Sequence, residues 1–276
     1  MTQSPAPVEI GRGDAPLLIS VPHTGTEIPA EIEGRLVSPW LARKDTDWWI
    51  DRLYDFAREL GASVVRTPVS RTVIDVNRDP SGASLYPGQS TTDLCPLTTF
   101  DGEPLYRPGE EPGPDEVAAR RERHFDPYHR VLRDEIARLR ARHSTIVVYD
   151  CHSIRSAIPR LFPGELPVFN IGTNVGTSCS PELTARIAWM CRGAGDPTVV
   201  DGRFRGGWIT RSLGRPGDGV HAVQMELACR GYLDEPAGPV GENSWPAPYD
   251  AERAAPMRST LRNVLEACIG FASARA

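Results

Sequence analysis

Apolar runs closed by turn-forming residues alternate along the chain with stretches of helical period. Leu17-Leu18-Ile19-Ser20-Val21 is almost wholly apolar and ends at Pro22, and residues 145–149 run into Asp150-Cys151-His152-Ser153. Runs of that length bounded by polar residues fit buried strands of a parallel or mixed sheet. Val64-Val65, residues 72–76, 167–172, 198–200 and 221–227 complete the predicted strands. A helix is predicted to open at Asp45-Thr46-Asp47, carry apolar positions at Trp49, Leu53, Phe56 and Leu60, and close at Gly61. A long helix starts at Pro114, with Pro127 expected to kink or split it, and residues 182–191 and 249–271 form two more. Residues 81–114, rich in Gly, Pro, Thr and Asp, read as a long ordered loop of the kind that covers a site, and Gly206-Gly207-Trp208 as a loop or bulge. Strands alternating with helices predict an α/β layer fold, a single domain over residues 1–276 with residues 1–13 flexible.

Composition narrows the function. At 276 residues and 40% hydrophobic content a substantial core is available. A net charge of −5 argues against a nucleic-acid partner. No run of 18 apolar residues and no apolar leader occurs, so no membrane partner and a cytoplasmic location are expected. Six scattered cysteines without a Cys-x-x-Cys pair read as reduced thiols. Cys151 alternates with Asp150 and His152 and points to the other face of its strand, which leaves a thiol hydrolase a weak option.

Candidate chemistry gathers at the strand ends. His23 and His152 each follow an apolar strand, at the sheet edge where open α/β sheets bind ligands. Either alone would be an ordinary turn or strand-end histidine. Together with a carboxylate they match the two-histidine, one-acid set of catalytic zinc, with another divalent metal also compatible. Asp47, Asp45 and Glu27 are the candidates for the acid, Asp47 preferred for its place at a helix entrance. Gln224 and Glu226 share one face of a strand. A carboxylate there, among apolar neighbours, suits proton transfer beside a metal. Arg71 and Arg78 lie on neighbouring segments, and Arg155 and Arg211 add two further guanidiniums. They suit an acidic small molecule, although Asp75 and Asp79 could equally pair with the first two. His124 reads as a surface residue; His129, past Pro127, and Asp150 are expected to support the ligands by hydrogen bonding.

Taken in order, Pro22-His23-Thr24-Gly25, Asp45-Thr46-Asp47-Trp48, Ser70-Arg71, residues 73–78, Asp150-Cys151-His152-Ser153-Ile154-Arg155 and Gln224-Met225-Glu226 resemble the N-formylglutamate amidohydrolases, or N-formylglutamate deformylases, of histidine degradation. The similarity runs roughly from Pro16 to Tyr232 and takes in Leu85-Tyr86-Pro87-Gly88 and residues 99–105. It implies a three-layer α/β/α fold with a central mixed, mostly parallel sheet, zinc-carboxypeptidase-like. It also implies zinc-dependent hydrolysis of a small acidic N-acyl amino acid, N-formyl-L-glutamate in the typical member. The more distant resemblance to aspartoacylase and succinylglutamate desuccinylase implies that Asn77 and Arg78 hold a substrate carboxylate and that Glu226 is the base. Those relatives carry His-x-x-Glu where this chain has Thr26 followed by Glu27, so the third ligand stays open between Asp47, Asp45 and Glu27. Deacylation of a different N-acyl amino acid or amide, and a non-catalytic metal-binding or ligand-binding homologue, are the alternatives.

Overall fold

The computed structural model describes residues 8–86, 88 and 91–275. Seven strands form one sheet: β1 (Glu9–Gly11), β2 (Leu17–Val21), β3 (Ser63–Arg66), β4 (Ile146–Ile154), β5 (Phe169–Gly172), β6 (Thr198–Val200) and β7 (Val220–Ala228). Their order is β1-β3-β2-β4-β7-β5-β6. The four central strands run parallel, β1 and the β5–β6 pair antiparallel to them. Period-two alternation sorts the core into layers. Leu17 and Ile19 of β2, Val147, Tyr149 and Cys151 of β4 and Val223, Met225 and Leu227 of β7 pack under α2 (Ile50–Leu53), α5 (Pro181–Gly193) and α7 (Ala251–Ser273). Leu18, Val148 and Ala222 face the opposite side, under α1 (Ala30–Glu33), α4 (Asp126–Arg140) and α6 (Trp208–Leu213). The result is the expected three-layer α/β/α arrangement with a mixed, mostly parallel sheet. Among the described residues no helix is long and apolar enough to cross a membrane.

Several local expectations are corrected. Of the amino-terminal stretch expected to be flexible, residues 1–7 lie outside the described residues, while Glu9–Gly11 pair with β3 as an edge strand. Residues 44–60 form only short helical pieces. Asp47 N–H donates to His23 O at 3.0 Å, and Trp49 takes a left-handed backbone with φ 64°, so the chain opens where a helix was expected. Residues 72–76 are not a strand, because Val73 N–H donates to Ser70 O and Arg78 N–H to Asp75 O, coiling the segment beneath the sheet edge. The helix expected to be kinked or split at Pro127 is divided just ahead of that residue. A π-helical turn at Arg121–Phe125 joins α3 (Pro114–Arg120) to α4 and sets Pro127 in α4's first turn, where its missing N–H costs nothing. That register buries His124, 7% exposed, rather than leaving it on the surface. Gly206-Gly207 leads directly into α6, a helix its composition did not reveal.

Candidate active site

Because β4 stays paired through Ile154, Asp150 and His152 project from the strand itself, on the face opposite Cys151. In the parallel neighbour, Glu226 stands in register with His152 and Gln224 with Asp150. His23 follows β2, and Asp47 is drawn to it by the Asp47 N–H to His23 O bond. The structure thus gathers His23, Asp47 and His152, all buried, with one ligand atom each lying within 4.8 Å of one another, a group that could hold a metal ion.

Both imidazoles are fixed from behind. His23 Nε2 lies 2.7 Å from Asp75 Oδ1, and His152 Nε2 lies 2.8 Å from Asp150 Oδ2. The two Nδ1 atoms face each other at 3.1 Å, and His152 Nδ1 is 3.1 Å from Asp47 Oδ2. With each Nε2 hydrogen on its carboxylate, two nitrogen lone pairs and a carboxylate oxygen converge on one point. That donor set suits Zn²⁺ or a neighbouring first-row divalent ion, and the carboxylates behind the rings set the tautomer. Burial would raise the Asp47 carboxyl, but the charges of His23 and His152 and the bond to His152 hold it below the usual carboxylate range. Asp75 is likewise held well below that range, burial being outweighed by His23 and by Arg71 and Arg78.

The other two acid candidates are employed elsewhere. Asp45 accepts from Phe100 N–H at 2.6 Å and lies 3.4 Å from Arg155, and Glu27 is exposed. Arg155 also binds Asp101 at 2.6 Å, which in turn meets Lys44 at 2.7 Å. These bonds fasten residues 99–103 of the long loop across the sheet edge, with the Phe100 ring 4.8 Å from the Arg71 guanidinium. Arg155 therefore acts as a fastener of the loop and does not line the cleft.

Beside the triad opens a cleft lined by His23, Arg71, Asn77, Arg78, Phe100, His152 and Glu226 and, farther round, by Tyr86, Thr91, Thr92, Leu161, Arg203, Phe204 and Gly207. Glu226 is 7% exposed and receives Gln224 Nε2–H at 3.1 Å, while Gln224 Oε1 accepts from Gly207 N–H at 2.7 Å. Burial pushes the Glu226 carboxyl up to about 8; His152 opposes this and the charge of Asp47 adds to it. Cys151 points into the apolar core, where burial raises its thiol well above the ordinary range.

Arg71 spans Asp47 and Asp75 at 3.3 and 2.8 Å. Asn77 lines the cleft with its amide engaged: Nδ2 lies 3.0 Å from Asp150 and 2.9 Å from His152 Nε2, and Oδ1 accepts from Ile209 N–H. A Cβ on Gly207 would sit 2.5 Å from that amide, so the close approach requires glycine. Arg78 reaches Thr92 Oγ1 at 2.9 Å and Asp75 at 3.5 Å. Arg211 bonds Gly206 O beneath Tyr86 and does not line the cleft. His129 Nε2 lies 2.8 Å from Val76 O and supports the turn that carries Asp75 and Asn77. Asp75 and Arg203 are the residues whose positions the sequence reading missed: Asp75 figured there only as an ion-pair partner, and Arg203 not at all.

Residues 15–233 match the N-formylglutamate amidohydrolase family. The chain is 46% identical over 265 residues to an N-formylglutamate deformylase of Pseudomonas aeruginosa and 43% identical to one of Pseudomonas putida, covering 96% of both chains in each case. A crystal structure of an N-formylglutamate amidohydrolase from Ralstonia eutropha superposes with a TM-score of 0.79 at 21% identity, covering 98% of this chain and 100% of that one.

Proposed function

The chain belongs to the N-formylglutamate amidohydrolase family, and from that premise we propose that it is a cytoplasmic, zinc-dependent hydrolase of N-formyl-L-glutamate, yielding formate and L-glutamate in the breakdown of histidine. The observation that carries the reading is the meeting of the His23–Asp47–His152 group with a buried Glu226 in register across from His152. The metal would be held by His23 Nδ1, His152 Nδ1 and an Asp47 oxygen. When bound, it supplies a Lewis acid that polarises the formyl carbonyl and acidifies the attacking water.

The remaining work falls to the chain's own groups. Glu226 takes the proton of the attacking water and delivers it to the departing amine, while Gln224 fixes the carboxylate's direction. A raised proton affinity suits a group that must both accept and return a proton, and a divalent cation close by would lower it towards neutrality. Asp75 and Asp150 orient the two imidazoles, and Asn77 ties Asp150 to the start of α6. Arg78 holds a substrate carboxylate and so sets the amide for attack. Phe100, held over Arg71, keeps bulk water from that end of the cleft.

The test is formate release from N-formyl-L-glutamate by the zinc-loaded protein, beside a panel of other N-acyl amino acids and with a chelator-treated control. Formate release that chelation abolishes and zinc restores is expected. Turnover indifferent to chelation, or preference for a different acyl group, overturns the assignment.

A further inference from the structure

Strand β4 gives the cleft an axis. Asp150, His152 and Ile154 share one face of the strand, each about 7 Å from the next. At the Asp150 step stands Asn77, whose amide holds that carboxylate at 3.0 Å and whose neighbour Arg78 lines the cleft. At the opposite step Ile154 belongs to an apolar cluster with Phe100, Ile158 and Phe162. The Phe100 ring, buried at the cleft wall, also lies 4.8 Å from the guanidinium of Arg71, which in turn binds the Asp47 carboxylate at 3.3 Å. Along β4 the His23–Asp47–His152 group therefore stands between the turn of Asn77 and Arg78 and the Phe100 ring. The backbone that carries the ring is anchored on both sides. Phe100 N–H donates to Asp45 at 2.6 Å, and Asp101, the next residue, pairs with Arg155 at 2.6 Å and with Lys44 at 2.7 Å. Lys44 and Arg155 are themselves buried, so displacing the ring means breaking ion pairs whose cations have little water to turn to.

We infer that Phe100 is the specificity-determining residue for the acyl group, its ring closing the space beyond the scissile carbonyl so that only the hydrogen of a formyl group fits there. This rests on the proposed deformylase activity and adds to it the residue that sets the size of the acyl group. A planar amide carries its acyl substituent and its nitrogen on opposite sides of the carbonyl carbon. With the amino-acid carboxylate on Arg78 and the carbonyl at the metal group, the substituent runs towards Phe100. A formyl group has only hydrogen there, whereas an acetyl group brings a methyl against a ring whose backbone is pinned. Close-packed surroundings of this kind admit an extra methyl only at the cost of strain.

The experiment measures kcat/KM of the zinc-loaded wild type, Phe100→Ala and Phe100→Leu on N-formyl-L-glutamate and N-acetyl-L-glutamate. The wild type is expected to favour the formyl compound. Phe100→Ala should raise turnover of the acetyl compound itself and lift its kcat/KM relative to the formyl compound by about 10–100-fold, the worth of one carbon in a fitted pocket. Phe100→Leu should give a smaller rise, and it carries the test if the alanine variant does not fold. An equal loss on both substrates, which is what a merely structural role would produce, overturns the inference. So do an unchanged ratio and a wild type that takes the acetyl compound at least as well as the formyl one. Should the wild type hydrolyse neither compound, the deformylase reading fails by itself, and calorimetric titration of both compounds into the same three proteins decides Phe100. A preference for the formyl compound that substitution removes upholds the role of the ring; equal binding, no binding or a preference that persists removes it.

Discussion

Asp75 does more than any other single carboxylate here without facing the substrate. It touches His23, Arg71 and Arg78 and accepts from the backbone of Asn77, so one side chain sets the His23 ring, two guanidiniums and a turn. Asp75→Asn should therefore weaken zinc binding about 10–100-fold, the usual cost of losing the acid behind a ligating histidine, as read by competition with a chromogenic chelator. Glu226→Gln should behave in the opposite way. Zinc content stays that of the wild type while kcat falls by about 10²–10⁴-fold, and a metal-loaded variant that kept its turnover would remove Glu226 from proton transfer. The sequence announced Glu226, because an acid amid period-two apolar residues stands out. It did not announce the work of Asp75, because residues 72–76 are as apolar as a strand and conceal a turn that is buried for another reason. Arg203 was invisible for a plainer cause: an arginine in a loop has no periodicity to break.

Among the elements, the join between α3 and α4 shows a pattern read correctly with its consequence misjudged. Apolar positions at Tyr128, Leu132 and Leu139 do form one buried stripe. The π-helical turn shifts the register ahead of Pro127, however, and turns His124 and His129 inward. Burial pushes both rings down to about 4, the charges of Arg123 and Arg120 adding to the effect at His124. Each is therefore neutral in the folded chain and ordinary, near 6.5, when unfolded. Stability that depends on them is complete above pH 6.5 and is lost as pH falls towards 4. Denaturant titrations between pH 7 and 4 should show His124→Gln losing about 1–3 kcal/mol less than the wild type, and parallel curves would mean that His124 does not drive the acid response.

For the molecule as a whole, an α/β layer fold was legible because apolar strand runs alternate with helical stretches, while the three-layer arrangement, one face of the sheet meeting α5 and α7 and the other α4 and α6, was what the family resemblance implied. What could not be read was the helix expected from residue 44 onwards, since the long-range bond from Asp47 to His23 outweighs local helical preference. The site joins segments from β2, β4 and β7 with the turns around Asp47 and Asp75, so occupancy by a metal should stabilise the entire fold. At a free zinc concentration about 1,000 times its dissociation constant the gain is roughly 4 kcal/mol. Chelation should accordingly lower Tm by on the order of 10 °C, reversibly on adding zinc back, and an unchanged Tm would place the metal outside this framework.

Lys44 is the chain's only lysine, and it is 4% exposed, bridging Asp101 and Glu103 at 2.7 and 2.5 Å where the long loop is fastened. An amine-directed label should thus find only the amino terminus while the loop is down, leaving Lys44 a built-in reporter of its lifting. Joint replacement Asp101→Ala, Glu103→Ala should make Lys44 reactive, read as a second adduct by mass spectrometry. The rate at which that adduct grows in the intact protein then clocks how often the cleft opens, with no probe engineered into it.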